Sequence, residues 1–147
     1  LGYIEEAFLA YKTERYNIKG KDVVAGNCKY YLNDLSFKNF LYPGFAYGVG
    51  YLLENAVYLE LRRLGYIVYT GSFRDKEVDF VAMKDDRVIY LQATYMLETA
   101  QTMEREYAPL LTIGDNYEKY VVSMDEVQFP SNEGVRHIQA WNLKEIL

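Results

Sequence analysis

The chain has 147 residues, of which 50% are apolar and 25% charged, with a formal net charge of −5. This length suffices for one domain with a hydrophobic core, and the acidic balance weighs against tight non-specific binding of duplex DNA. One cysteine excludes an intramolecular disulfide, and no apolar run has the roughly 18 residues of a membrane span. We expect a cytoplasmic globular domain with no membrane partner. We also expect it to belong to a longer chain, because residue 1 reads as the middle of an element.

The first section, residues 1–43, is predicted to be a small N-terminal appendage. Residues 3–11 have helical spacing, residues 17–21 are predicted to form a turn, and residues 29–32 are predicted to form a short strand. Lys19, Lys21, Lys29 and Lys38 of this section form a weak patch of positive charge that could contact DNA.

A core domain is predicted over residues 44–147, after the chain break signalled by Pro43-Gly44. A helix is expected from about residue 45 to residue 64, ended by Gly65. Three strand-like runs follow, then a second helix that Pro109 should end early or kink, two more strands and a helical turn. The expected bounds of these later elements are 66–72, 77–83, 88–95, 98–113, 120–124, 135–141 and 143–147. The order indicates a mixed α/β sandwich.

The hairpin between the second and third strand-like runs predicts which polar residues meet. If Asp85-Asp86 is its two-residue loop, paired residue numbers have the same sum along the ladder. Asp79 then lies opposite Gln92, and Glu77 lies opposite Thr94, whereas a slip of one residue would separate both pairs. The alternation expected for the second run places together, on one face, Val78, Phe80 and Ala82.

Several short blocks, in this order and spacing, are similar to one protein family. The blocks are Tyr51-Leu52-Leu53-Glu54-Asn55-Ala56-Val57, Gly65-Tyr66, Glu77-Val78-Asp79-Phe80-Val81, Tyr90-Leu91-Gln92-Ala93, Arg105-Glu106-Tyr107, residues 115–120 and residues 134–138. They resemble the C-terminal domain of unknown function of prokaryotic AAA-type ATPases, which has a PD-(D/E)XK nuclease-like core. The resemblance implies an α/β (α+β), restriction-endonuclease-like fold, with a central mixed sheet flanked by helices in the order αβββαβ. It also implies that residues 1–43 are a helical, winged-helix-like remnant that links to an upstream ATPase domain.

The resemblance further assigns positions to a nuclease-like active site. In working nucleases of this fold, a helix glutamate, a strand aspartate and a third acid bind Mg²⁺, and a lysine helps to activate water. Glu54 takes the helix position and Asp79 the strand position, so both are candidate Mg²⁺ ligands. Gln92 stands where the third acid belongs and Thr94 where the lysine belongs, which removes one negative and one positive charge. Glu77 is a further candidate beside Gln92, and the whole site is expected to be degenerate.

Each of these acids also has a purely structural interpretation. Glu54 can be a solvated or capping glutamate, and Asp79 can belong to the polar face of an amphipathic strand. Glu60, which points into the apolar stripe of the first core helix, is better interpreted as a paired or snorkelling side chain than as a functional one. Because His137 is the only histidine, we expect neither a histidine-based metal cluster nor a histidine-dependent triad.

Two functions follow as expectations. The first is a catalytically inactive nuclease-fold accessory domain of an AAA-type ATPase, used to bind a partner, another subunit or nucleic acid. The alternative is a residual Mg²⁺-dependent DNA or RNA nuclease that uses Glu54 and Asp79. No G-x-x-x-x-G-K-[ST] segment occurs, so ATP would bind the upstream ATPase domain and this chain would carry no cofactor except, in the alternative, Mg²⁺. The expected partners are that ATPase domain, a second copy of the chain or nucleic acid.

Overall fold

The computed structural model describes residues 2–41, 43–44 and 48–147, and its strands form one seven-stranded mixed sheet. The helices are α1 (Gly2–Glu6), α2 (Ser36–Leu41), α3 (Val49–Arg63) and α4 (Ala100–Leu111), with a 3₁₀ helix at Ala140–Glu145. The strands are β1 (Ala10–Asn17), β2 (Asp22–Leu32), β3 (Ile67–Phe73), β4 (Lys76–Lys84), β5 (Arg87–Ala93), β6 (Glu118–Ser123) and β7 (Val135–Gln139). Their order in the sheet is β2-β1-β3-β4-β5-β6-β7. The predicted mixed α/β architecture and the chain order α3-β3-β4-β5-α4-β6 are confirmed.

Two hydrophobic clusters lie on opposite faces of this sheet. Leu53 and Leu61 of α3 pack on Phe80 and Leu91 on one face. Tyr107 and Leu110 of α4 pack with other sheet residues on the other face, including Val81, Tyr90 and Val121. Because β4, β5 and β6 are covered on both faces, their sequences read as nearly continuous apolar runs. No helix in the described ranges is long and apolar enough to cross a membrane.

The first core helix differs from the prediction at its start. It begins at Val49 rather than near residue 45, and residues 45–47 lie outside the described ranges. Its end agrees with the prediction, because Gly65 follows with a φ of +89° and donates its N–H to the carbonyl of Arg62. The second core helix continues two residues beyond Pro109, to Leu111.

The helix predicted over residues 3–11 is wrong for its second half. Helix α1 ends at Glu6, and Ala10 begins β1, which pairs antiparallel with β2 and parallel with β3. Pairing with two neighbouring strands outweighs the helical spacing of a short segment. The turn at residues 18–21 and the strand at residues 29–32 agree with the prediction. The β1–β2 hairpin is thus hydrogen-bonded into the same sheet as the core strands, while the domain boundary at residue 43 stays a prediction.

A β-bulge in β4 changes the expected alternation of side chains. The β4–β5 ladder has the predicted register, from Lys84 opposite Arg87 to Phe80 opposite Leu91. On its other side, β4 pairs with β3 in a register that shifts by one residue, so one residue of β4 is extra at Asp79–Phe80.

The shift places Val78 with Val81 in the cluster under α4, so the predicted common face of Val78, Phe80 and Ala82 is wrong. Gly71 of β3 makes room for the shift, because a Cβ there would lie 2.9 Å from Val81 Cγ2 and 3.0 Å from Val78 Cβ. The bulge thereby turns the Asp79 side chain toward the face that carries α3.

Candidate functional site

A cleft of about 360 Å³ opens between the start of α3, the paired strands β4 and β5, and α4. The residues that line it include Tyr51, Glu54, Asp79, Gln92, Thr94, Arg105 and Glu106. The four positions assigned from the sequence, Glu54, Asp79, Gln92 and Thr94, therefore lie at one cleft.

Asp79 is a buried acid of this cleft. Its Oδ2 accepts the backbone N–H of Ala93 at 2.9 Å, and its Oδ1 lies 3.4 Å from the Nζ of Lys29. Burial of the carboxyl, followed by repulsion from Glu54, raises the pKa of Asp79 to about 7, despite the opposing attraction of Lys29. The pKa of Asp79 therefore lies close to neutral pH.

Glu54 is a half-buried hydrogen-bond acceptor, not a solvated or capping glutamate. Its Oε1 accepts the Tyr31 hydroxyl at 2.7 Å and the Lys29 ammonium at 2.8 Å, and its side chain is 13% exposed. Repulsion from Glu54 is the second cause of a raised pKa at Tyr31, after burial, so this phenol stays protonated and donates. Glu60, by contrast, forms an ion pair with Arg63, as expected for a paired side chain.

Lys29 is a functional candidate that the sequence did not assign to this site. It comes from β2, on the N-terminal hairpin, and its ammonium lies among three carboxylates of α3 and β4. Attraction by Asp79 and hydrogen bonds to the other carboxylates outweigh burial and raise the pKa of Lys29. A lysine separated by 25 residues from Glu54 and by 50 from Asp79 belongs to no local motif.

Gln92 braces the cleft and does not pair side chain to side chain with Asp79. Its Oε1 accepts the backbone N–H of Asp79 at 3.2 Å, and its Nε2 lies 3.4 Å from an oxygen of Glu106. Glu106 is buried on α4 and also pairs with Arg105 at 2.7 Å. Glu106 is thus a further acid at this cleft that the site prediction lacked.

The expected pairing of Glu77 with Thr94 does not form. Thr94 is buried, and its backbone N–H is donated to the carbonyl of Val122 on β6. Glu77 instead contacts Arg15 at 2.8 Å and Lys29 at 3.0 Å, so it joins the cluster from its outer side. The antiparallel ladder ends at the pair Phe80 and Leu91, three pairs before Glu77 and Thr94 would meet.

The donor set does not fit Mg²⁺, the ion that the resemblance implies. Mg²⁺ requires near-octahedral oxygen ligands at about 2.0–2.1 Å. The Gln92 oxygen and one Asp79 oxygen already accept backbone N–H groups, and Glu54 Oε1 and the second Asp79 oxygen face Lys29. Within the described ranges, no group of three or more histidine, cysteine, aspartate or glutamate side chains could hold a metal ion.

A second polar cluster contains Ser123, Asp125 and His137. Its hydrogen bonds do not activate Ser123 as a nucleophile, because His137 donates to the serine instead of accepting from it. The Phe129 N–H donates to His137 Nδ1 at 3.2 Å, so Nε2 carries the proton and donates to Ser123 Oγ at 2.8 Å. Ser123 in turn donates to Asp125 at 2.7 Å. Burial lowers the pKa of His137, and its protonated Nε2 faces the serine, so this histidine is not placed to accept the serine proton. These hydrogen bonds join the loop after β6 to β7.

Comparison with known proteins gives one similar sequence of unknown role. No protein family and no solved structure matches the chain. An uncharacterized protein of Haemophilus influenzae (strain Rd) is 36% identical over 123 residues, which cover 84% of this chain. The chain spans 30% of the length of that relative.

Proposed function

We propose that the chain is a catalytically inactive nuclease-fold accessory domain of a longer protein, used to bind a partner, another subunit or nucleic acid. The PD-(D/E)XK-like part of this proposal is supported by the order α3-β3-β4-β5-α4-β6. It is also supported by the positions of Glu54 on the helix and Asp79 on the strand, at a common cleft.

The proposal that the domain is catalytically inactive depends mainly on the contacts of Gln92. At the position where a nuclease needs an acid, this amide joins the backbone of Asp79 to the carboxylate of Glu106. An amide held in this way adds no negative charge for a metal ion. Thr94 likewise supplies no cation to stabilise the charge that develops when a phosphodiester is attacked.

A binding role is supported by a second groove beside the cleft. This groove, of about 410 Å³, shares Tyr51 and Glu54 with the cleft and is lined further by Tyr30, Leu35 and Leu52. Tyr51 is 70% exposed, which is a large apolar surface for a partner to cover. An accessory role is supported by the relative, because the matching region is only 30% of its length. The proposal that an ATPase domain precedes this domain in the same chain rests on the resemblance described above.

The inactive state is tested by cleavage. Single- and double-stranded DNA and RNA are incubated with the chain and either Mg²⁺ or Mn²⁺, beside the Asp79→Asn variant. We expect no cleavage above that of the variant. Metal-dependent cleavage by the unmodified chain that Asp79→Asn abolishes would overturn the proposal.

The binding role is tested in the longer Haemophilus relative. Deletion of the region that matches this chain should change the assembly of that protein or its binding of ligands. Size-exclusion chromatography with light scattering measures assembly, and co-purification measures partners. Unchanged assembly and unchanged partners would contradict a binding role.

The second candidate function is a Mg²⁺-dependent nuclease, which requires Glu54 and Asp79 to exchange their contacts with Lys29 and the backbone for the metal ion. The position of Lys29 is the observation that favours it. An ammonium 2.8 Å from Glu54 and 3.4 Å from Asp79 could replace the lysine that is absent at position 94. On this hypothesis the unmodified chain cuts nucleic acid, and both Lys29→Met and Asp79→Asn abolish the cleavage.

A further inference from the structure

We infer that the Lys29 ammonium is a built-in cation that takes the place of a divalent metal ion between Glu54 and Asp79, where the nuclease-like cleft borders the groove that Lys29 lines. The inference rests on the proposed non-catalytic function and adds how the acidic cluster is kept stable. It also gives the β1–β2 hairpin a role at the site, because Lys29 lies on β2.

The position of the ammonium carries the inference. Lys29 Nζ lies 2.8 Å from Glu54, 3.0 Å from Glu77 and 3.4 Å from Asp79. These carboxylates come from α3 and from β4, so one cation joins two elements in the way a bridging metal ion does. The Lys29 side chain is 28% exposed and stays protonated, because its acidic partners raise its pKa.

The oxygens around Lys29 are divided between this ammonium and other donors. Glu54 Oε1 also accepts the Tyr31 hydroxyl, and Glu77 uses its other oxygen for Arg15. Asp79 uses its other oxygen for the Ala93 N–H. A divalent ion bound to Glu54 and Asp79 would lie within a few ångströms of the ammonium, and two positive charges at that distance repel strongly when little water screens them.

The residue types at positions 92 and 94 agree with this arrangement. An active site with a lysine at 94 and a metal ion on Glu54 and Asp79 would leave no place for a second ammonium. With a threonine at 94 and a glutamine at 92, the cluster lacks both a local cation and one acid. Lys29 then supplies the cation, and the remaining carboxylates suffice to hold it.

The inference is tested by removing the ammonium and adding Mn²⁺ as the probe. Lys29→Met keeps an unbranched side chain without charge and leaves Glu54, Glu77 and Asp79 facing one another. We expect Lys29→Met to bind one Mn²⁺ at least about tenfold more tightly than the unmodified chain, because the competing charge is gone. Isothermal titration calorimetry and the loss of the free Mn²⁺ electron paramagnetic resonance signal both measure this binding.

Two further variants make the result specific to the cleft. Adding Asp79→Asn to Lys29→Met should abolish the gained Mn²⁺ binding, because it removes a charged ligand. Lys12→Met, which removes an exposed lysine of the neighbouring strand β1, should bind Mn²⁺ no better than the unmodified chain. If Lys29→Met does not fold alone, Lys29→Gln replaces it, and Mn²⁺-dependent refolding followed by circular dichroism becomes the readout.

Two results would overturn the inference. One is tight Mn²⁺ binding by the unmodified chain that Lys29→Met leaves unchanged. The other is a Lys29 variant that binds no Mn²⁺ when folded or, if unfolded alone, does not refold with Mn²⁺. Either result is separate from the cleavage assay, because the chain can lack nuclease activity whether or not Lys29 replaces the metal.

Discussion

Asp79→Asn should remove a pH dependence of stability that the cleft imposes on the chain. Burial and Glu54 raise the pKa of Asp79 from 3.8 to about 7. Because the pKa is raised in the folded state, the protonated carboxyl favours folding. This contribution is fully present below pH 3.8 and is lost as the pH rises through about 7.

The size of the effect follows from the shift. One pKa unit corresponds to about 1.4 kcal/mol, so a rise of about three units corresponds to roughly 4 kcal/mol. The side chain is 11% exposed, so solvent screening reduces this value little. The free energy of unfolding of the unmodified chain, minus that of Asp79→Asn, should therefore fall by up to roughly 4 kcal/mol between pH 4 and pH 8.

Guanidinium unfolding followed by circular dichroism, repeated across this pH range, measures the difference. The comparison cancels groups that both chains share and that act in the opposite direction, such as His137, whose pKa burial lowers. Asp86→Asn, which changes an exposed acid in the β4–β5 turn, serves as the control and should follow the unmodified chain. A difference between the unmodified chain and Asp79→Asn that stays constant with pH would refute the reasoning.

Three further substitutions test contacts around the cleft by guanidinium unfolding. Asn55→Leu should cost roughly 2 kcal/mol, because the Asn55 amide makes two hydrogen bonds to the Leu32 backbone at 2.8 and 2.9 Å; an unchanged stability would contradict this. Tyr31→Phe should lower the free energy of unfolding by roughly 1.5–3 kcal/mol, because it removes the 2.7 Å hydrogen bond to Glu54. An unchanged stability of Tyr31→Phe would contradict this expectation. Phe80→Ala should cost roughly 3–5 kcal/mol because Phe80 is fully buried, and a loss below 1 kcal/mol would mean that the core closes over the cavity.

The hairpin that carries Asp79 and Gln92 could be predicted because its register is a local property. A two-residue turn fixes which residues face each other, and the ladder from Lys84 and Arg87 to Phe80 and Leu91 follows from that turn. The bulge could not be predicted in the same way. It depends on Gly71, which lies on a different strand and matters only once that strand is in place.

The cation of the site could not be predicted from spacing for a related reason. The nuclease pattern that the sequence resembles would place its lysine at position 94, two residues after Gln92. The lysine that pairs with Glu54 and Asp79 instead comes from β2, near the start of the chain. A weak signal exists in the sequence, because Lys29 and Tyr31 alternate along a predicted strand and so share a face. Only the pairing of β1 with β3 brings that face to Glu54.

Because β1 pairs in parallel with β3, we expect the core strands to need the β1–β2 hairpin to fold without aggregation. A chain that starts at residue 44 would leave β3 as an open sheet edge, with the unpaired backbone groups and apolar side chains that promote aggregation. It would also leave Glu54 and Asp79 without a counter-charge, because Lys29 would be gone. Truncation at the predicted boundary after residue 43 should therefore yield an aggregating protein, and expression trials of the predicted core domain should use a chain that begins before β1.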